Sequence, residues 1–335
     1  MTPQKLHTTP GPVLDEKGSP NAGYATKSVL QYSRKAIKAA PWRIKEWDWY
    51  QVSNGEKCLQ FTLGHAAYAG QVGVMFFDFK TGEMLVDENK ILVCPFGSLH
   101  LEENAEEEGT TAYSKDGMEM AFIHKDGKRR LICRCNGFSA DVTLEPQTPH
   151  AMVINIPFAE RETAFYYNHK INCMKAEGTV TYGGSSYTFN KNDSYGLLDW
   201  GRGVWPFHNE WYWSNGAGKI DGEVFGFNLG CGFGVSDAAT ENILFYKQET
   251  HKLGKVSFTL TGDYDQPWHL TDEDGRLDLW FTPQYDRKTA IKLIWVDNCT
   301  HQMFGSFKGT AKLDDGTILQ IDNIISFAEH AVNNW

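Results

Sequence analysis

From Lys45 onward, apolar and polar residues alternate with a period of two. In KEWDWYQV, Trp47 and Trp49 share one face while Asp48 and Tyr50 share the other, the pattern of a half-buried strand. QFTLGHAAYAGQVGVMFFDF and ILVCPFGSLHL continue as strands, separated by turn signals at Ser53-Asn54-Gly55, Thr81-Gly82 and Asp116-Gly117. MEMAFIHKDGKRRLICRC predicts a hairpin around Asp126-Gly127, followed by strands in FSADVTLEP and AMVINIPF. The second half repeats the style. AEGTVTYGGSSYTF predicts a hairpin around Gly183-Gly184, and EWYWSNGAGKIDGEVFGFNLGCGF another with a long turn. Regularly spaced strands in both halves predict an all-β protein of two antiparallel barrels or sandwiches. The division is expected near AERETAFY, giving units 1–162 and 163–335. Residues 1–23, rich in Pro, Gly and polar types, read as an arm laid over the fold. ATKSVLQYSRKAIKAA, residues 25–40, predicts one short basic helix ended by Pro41.

Composition narrows the function classes. A chain of 335 residues buries a full core without disulfides or structural metals. Hydrophobic residues at 41% and charged residues at 22% exclude a disordered chain. The net charge of −10 offers nothing global to nucleic acid or anionic lipid, so no nucleic-acid partner is expected. No apolar run reaches the roughly 18 residues of a membrane span. The start, MTPQKLHTTPGPV, lacks an apolar signal core, and a cytoplasmic location is expected. Aromatic residues make up 13% of the chain, more than a core requires, which suits a pocket for an apolar or aromatic small molecule.

Seven scattered cysteines should stay reduced in that compartment. Cys133 and Cys135 are the one close pair, on the same side of a strand. No further ligands stand near them in sequence, so buried thiols are expected. The histidines are dispersed, and neither a metal site nor a cofactor is expected. Gly230-Cys-Gly232-Phe-Gly234 lacks the third glycine and the helix of a dinucleotide loop. Gly216-Ala-Gly218-Lys219 is followed by Ile220 where a phosphate loop has Ser or Thr.

Candidate chemistry is densest in YGLLDWGRGVWPFHNEWYWSN, which gathers Asp199, Trp200, Arg202, Trp205, His208, Glu210, Trp211 and Trp213. Gly201 and Gly203 flank Arg202 and permit a tight bend, across which Asp199 and Arg202 are expected to pair. Such a pair either anchors Arg202 so that its free donors meet a ligand, or pins a loop that closes the barrel. Trp211 and Trp213 share one face of the next strand. In EVFGFNLGCG one face is bare of side chains except for Asn228, either a pocket with one orienting amide or a site of close sheet packing. Glu241 reads as a pocket carboxylate or as a cap. Tyr166, His169 and Lys170, near the expected division, are candidates for proton transfer.

LDWGRGVWP, EWYWSNG, GFNLGCGF and TEN together resemble the domain of unknown function 2804 family. So do the opening LDEKGSPNAGYATKSVLQYSR and RIKEWDWYQV, and the resemblance spans nearly the whole chain. It implies a fold similar to two-barrel, lipocalin-like proteins. That wider group includes carotenoid hydratases, tocopherol cyclases and fungal cycloaddition enzymes, which treat apolar molecules by cofactor-free acid–base or cyclisation chemistry. The expected function is therefore a cofactor-independent lyase, isomerase or hydratase; the alternative is a non-catalytic carrier with the same pocket. In the enzyme reading Arg202 and Asn228 steady oxyanion charge, while Asp199, His169 or Glu241 moves the proton. Trp200, Trp205, His208, Trp211, Trp213, Tyr166 and Lys170 surround the ligand.

Overall fold

The computed structural model describes residues 3–66, 68–95, 98–293 and 296–334. Three short strands, β1 (Gly11–Pro12), β2 (Gly23–Ala25) and β3 (Leu30–Gln31), lie in the N-terminal arm. Then come β4 (Lys45–Ser53), β5 (Lys57–His65), β6 (Ala69–Asp78), β7 (Glu83–Val93), β8 (Gly109–Lys115), β9 (Met118–Lys125), β10 (Lys128–Cys135) and β11 (Phe138–Glu145). The middle of the chain forms β12 (Met152–Phe158), β13 (Arg161–Tyr182), β14 (Ser185–Phe189) and β15 (Tyr195–Val204). These strands make one sheet, in the order β7-β6-β5-β4-β15-β13-β11-β10-β9-β8, with β12 and β14 added to β13 and β2 added to β12.

The second sheet contains β16 (His208–Ile220), β17 (Glu223–Cys231), β18 (Ile243–Tyr246), β19 (Glu249–Lys252), β20 (Val256–Leu260), β21 (Trp268–Asp272), β22 (Leu277–Leu293), β23 (Val296–Lys312) and β24 (Ile318–Asn334). Its order is β19-β18-β17-β16-β24-β23-β22-β21-β20. Both sheets are antiparallel, as between β4 and β15 or β16 and β24. Each curls as a half-barrel around its own core. Phe61, Phe76, Phe165 and Trp200 fill the first; Phe227, Trp268, Phe281 and Phe307 fill the second. This is the expected all-β, lipocalin-like pair of barrels packed together. Residue 162 lies just inside β13, within the first sheet; the chain passes from one sheet to the other at residues 205–207.

The short N-terminal helix does not form. Residues 25–40 instead hold β3 and a 3₁₀ turn at Arg34–Ala36, and a second such turn follows at Pro41–Arg43. Tertiary contacts explain the difference. Leu30, Tyr32 and Ile37 are buried against the first core, the Leu30 carbonyl accepts a bond from the Tyr167 hydroxyl at 3.0 Å, and Arg34 pairs with Glu46. A single helix of that length is marginal alone and cannot match these anchors. The arm does lie over the fold: the Lys5 N–H reaches the Ala238 carbonyl and the Thr240 N–H reaches Gln4, both on the second sheet's connections.

β15 is buried along its whole length because both of its faces are covered. Leu198, Trp200 and Val204 enter the first core, while Leu197 packs on Trp213, Phe304 and Phe327 of the second sheet. A stacked Phe77–Phe304 pair, 4.9 Å between ring centroids, continues this inter-sheet layer. β13, 22 residues long, runs alongside β15. A bulge after Ile171, with Cys173 at a φ of 57°, interrupts its pairing.

Candidate functional site

Asp199 and Arg202 do not pair. Both lie within extended β15, and positions three apart on a strand project to opposite faces. Arg202 is fully buried in the first half-barrel. Its Nη2 donates to Asp48 Oδ1 at 2.9 Å and to the Glu102 carbonyl at 2.8 Å. Its Nη1 donates to the carbonyls of Trp47 and Gly201 at 2.7 and 2.9 Å. The guanidinium lies 3.8 Å from the Trp200 ring centroid. The acidic run EENAEEEG, residues 102–109, thereby lends a backbone carbonyl, that of Glu102, to this buried arginine. Gly201 does not make a bend. A Cβ there would overlap the Trp47 indole, so the glycine is the seat of that ring.

His169 sits on the same inner side as Trp200 and is buried, with Nε2 3.7 Å from a Glu106 carboxylate oxygen. Burial, with Arg129 nearby, pushes its imidazole down to about 3, so it is neutral at pH 7. His208 stands exposed at the start of β16, its Nδ1 2.9 Å from Asn334 Oδ1.

The remaining candidates meet between the two sheets. Lys170 Nζ lies 2.8 Å from Asp199 Oδ1, 3.5 Å from Glu241 Oε2 and 3.4 Å from the Tyr166 hydroxyl. It stands 4.3 Å from the Trp213 ring centroid. Burial alone would lower the Lys170 ammonium, but Asp199 and Glu241 outweigh it and hold it above the usual lysine value. Asp199 also accepts bonds from Asn168 Nδ2 at 2.6 Å and Trp47 Nε1 at 3.2 Å. Burial, then the charges of Glu241, Asp199 and Glu329, raises the Tyr166 phenol well above its usual value, so it remains protonated.

Asn228 organises the opposite wall. Its Oδ1 accepts from Trp213 Nε1 at 2.8 Å, and its Nδ2 donates to the Glu241 carbonyl at 2.8 Å and to Glu241 Oε2 at 3.2 Å. The bare face of β17 is explained by Glu241, whose carboxylate occupies the place a Cβ on Gly230 would need. Trp205 and Trp211 pack on Phe233, with centroids 5.4 and 5.1 Å away. Asp199 and Glu241 keep 10% and 14% side-chain exposure, and Trp47, Trp49, Trp211 and Phe233 around them are only half-buried.

Glu329, on β24, is a member that sequence reading missed. It is the direct cross-strand partner of Trp213. Trp211 Nε1 donates to its Oε1 at 3.0 Å and Gln302 Nε2 to its Oε2 at 3.2 Å. Burial overcomes these bonds and raises the carboxyl to about 7. A lone acid inside the apolar run ISFAEHAV was its one sequence signal. Between the sheets, a buried carboxyl raised to about 7 thus stands near Asp199 and Glu241, both ion-paired with Lys170.

Among the described residues, no three His, Cys, Asp or Glu side chains converge as a metal-binding group, and no helix is long and apolar enough to cross a membrane. A void of about 20 Å³, lined by Asp48, Tyr50, Arg129 and Trp200, lies under the acidic segment and has room for little more than water.

Two solved structures share this fold. One is a candidate AttH from Nitrosomonas europaea, 14% identical, with a TM-score of 0.54, covering 89% of this chain and 94% of its own. The other is kievitone hydratase from Nectria haematococca, 12% identical, with a TM-score of 0.53, covering 92% of this chain and 97% of its own. At such identities the likeness establishes the fold alone. No curated protein matches the sequence. The model of the domain of unknown function 2804 family matches residues 4–335, and the chain therefore belongs to that family.

Proposed function

We propose that the protein is a cofactor-independent lyase, isomerase or hydratase that acts on an apolar or aromatic small molecule at the ionisable group between its two half-barrels. The observation that carries this reading is Glu329, a buried carboxyl raised to about 7 beside the Lys170–Asp199–Glu241 group. In this reading Glu329 delivers a proton, and Asp199 or Glu241 accepts one. Lys170, charged and buried, steadies negative charge that develops on a substrate oxygen. Asn228 orients Glu241, while Trp47, Trp211 and Phe233 hold an apolar substrate by shape. Arg202, Trp200 and His169 support the wall from its inner side. The hydratase among the structures of this fold agrees with chemistry of this class.

The test is a screen of flavonoids, polyenes and prenyl compounds, read by tryptophan fluorescence and by product formation. The expected result is turnover that Glu329→Gln lowers by roughly 10²-fold or more, with the fluorescence response retained. A fluorescence response without turnover identifies a carrier instead. Neither response, or turnover unchanged in Glu329→Gln, overturns the assignment.

A further inference from the structure

The hairpin of β9 and β10 aligns four sulfur-bearing side chains. Cys133 lies directly opposite Met120, and Cys135 directly opposite Met118. All four are buried in the first half-barrel. Strands lie about 4.8 Å apart and alternate residues on one strand about 6.8 Å apart, so the four side chains rise from the corners of a small rectangle. Ala140 on β11 stands beside Cys133. Met118 and Cys135 border an open surface depression of about 420 Å³ between the turns at Asp116-Gly117 and Asn136-Gly137. The depression brings solvent to the barrel end at which Met118 and Cys135 lie.

Alternate residues of one strand lie at the far end of the span a disulfide can bridge, so the two thiols are poorly placed to oxidise together. Thiol and thioether are both soft donors, which favour Cu(I) over oxygen-seeking cations. A thiol binds such an ion as its thiolate. Cys135, 5% exposed where Cys133 is fully enclosed, is the thiol placed to give its proton to solvent.

We propose that Cys133 and Cys135, with Met118 and Met120, form a binding site for a monovalent soft cation of the Cu(I) type at the end of the first half-barrel. The Cys135 S–H bond breaks, a sulfur–metal bond forms, and one proton leaves to solvent for each ion bound. Nothing is oxidised or reduced. One thiolate with one monovalent ion adds no net charge to an apolar barrel end, which limits the cost of burial. The Cys133 sulfur and the two thioethers supply lone pairs.

The test uses reduced, full-length protein and Cu(I) without oxygen, with bicinchoninate as the coloured competitor. One equivalent withdrawn from the chelator per chain, with about one proton released in weak buffer, is expected. Cys135→Ser should lose that equivalent. A Met118→Leu and Met120→Leu double variant nearly conserves volume and should stay folded. It should bind at least 10-fold more weakly, whereas Cys94→Ser, at an exposed thiol, should bind as the native chain does. No withdrawal by the native protein overturns the proposal. So does a double variant that binds within 10-fold of native, or an equivalent that disappears with Cys94.

Discussion

Lys170 and Asp199 are direct cross-strand partners on β13 and β15, and their side chains meet at 2.8 Å on the side that faces the second sheet. Both are almost completely enclosed, so each charge depends on the other. Lys170→Met should leave Asp199 buried without its cation and cost roughly 3–5 kcal/mol. Asp199→Asn should cost less, because Glu241 still faces the ammonium. The double variant should recover much of the loss. Urea unfolding of the three variants measures the coupling, and purely additive losses would contradict it.

Arg202 gives a prediction of a different kind. Its Nη1 and Nη2 donors meet protein acceptors, so it holds Asp48 and the acidic segment in place. Arg202→Met should destabilise the fold by roughly 3–5 kcal/mol. Arg202→Lys should rescue little, because one ammonium cannot replace the planar fork stacked on Trp200. A melting curve for Arg202→Met close to that of the native protein would refute this clasp.

Glu329 sets a pH dependence. Its carboxyl lies at about 7 in the folded protein against 4.5 for an ordinary glutamate. The native state therefore binds more protons than the unfolded chain between those values. The resulting stability is fully present below pH 4.5 and is lost as the pH rises to 7, by at most roughly 3 kcal/mol. Glu329→Gln should remove that fall and gain most, relative to native, at pH 8. Urea midpoints at pH 5 and pH 8 for both proteins provide the comparison, and a native-minus-variant difference constant with pH would rule it out.

Gly201→Ala tests how Trp47 is seated. The added methyl meets the indole, whose Nε1 donates to Asp199. Overpacking of this kind should cost about 1–3 kcal/mol. Combined with Trp47→Leu, the same methyl should cost much less. Equal penalties in both backgrounds would show that the glycine serves something else.

The alternation of apolar and polar residues carried the strands. The excess of aromatics pointed to a ligand pocket, whereas several of them pack the layer between sheets. Asp199, Glu241, Lys170, Tyr166, Asn228, Trp205, Trp211 and Trp213 were legible as chemistry and do converge. The sequence suggests that Asp199 pairs with Arg202 because glycines flank the arginine as in a bend, whereas β15 is continuous strand and Trp47 of β4 fills the space at Gly201. Asp48, Glu329 and Gln302 were missed for a common reason: each meets its partner across a sheet register or between sheets. A linear pattern records which face a residue takes, but not which distant strand stands opposite. The helix expected at 25–40 failed likewise, through contacts with Tyr167 and Glu46 that the segment's own residues do not announce.

The bulge at Asn172–Cys173 acts as a phase shifter in β13. Before it, Phe165, Tyr167 and Ile171 point into the first core; after it, Met174, Ala176 and Val180 do. Odd positions give way to even ones. Deleting Cys173 would restore one unbroken alternation and force a choice on the strand. If the distal half kept its place, Tyr166 and Lys170 would turn inward among phenylalanines and His169 would take their place against Glu241. If the proximal half kept its place, Val180 and Ala176 would turn out of the core instead. The loss of one small residue would therefore be felt along a whole strand, and the address of every proton-carrying group on β13 is set by a single irregularity in its spacing.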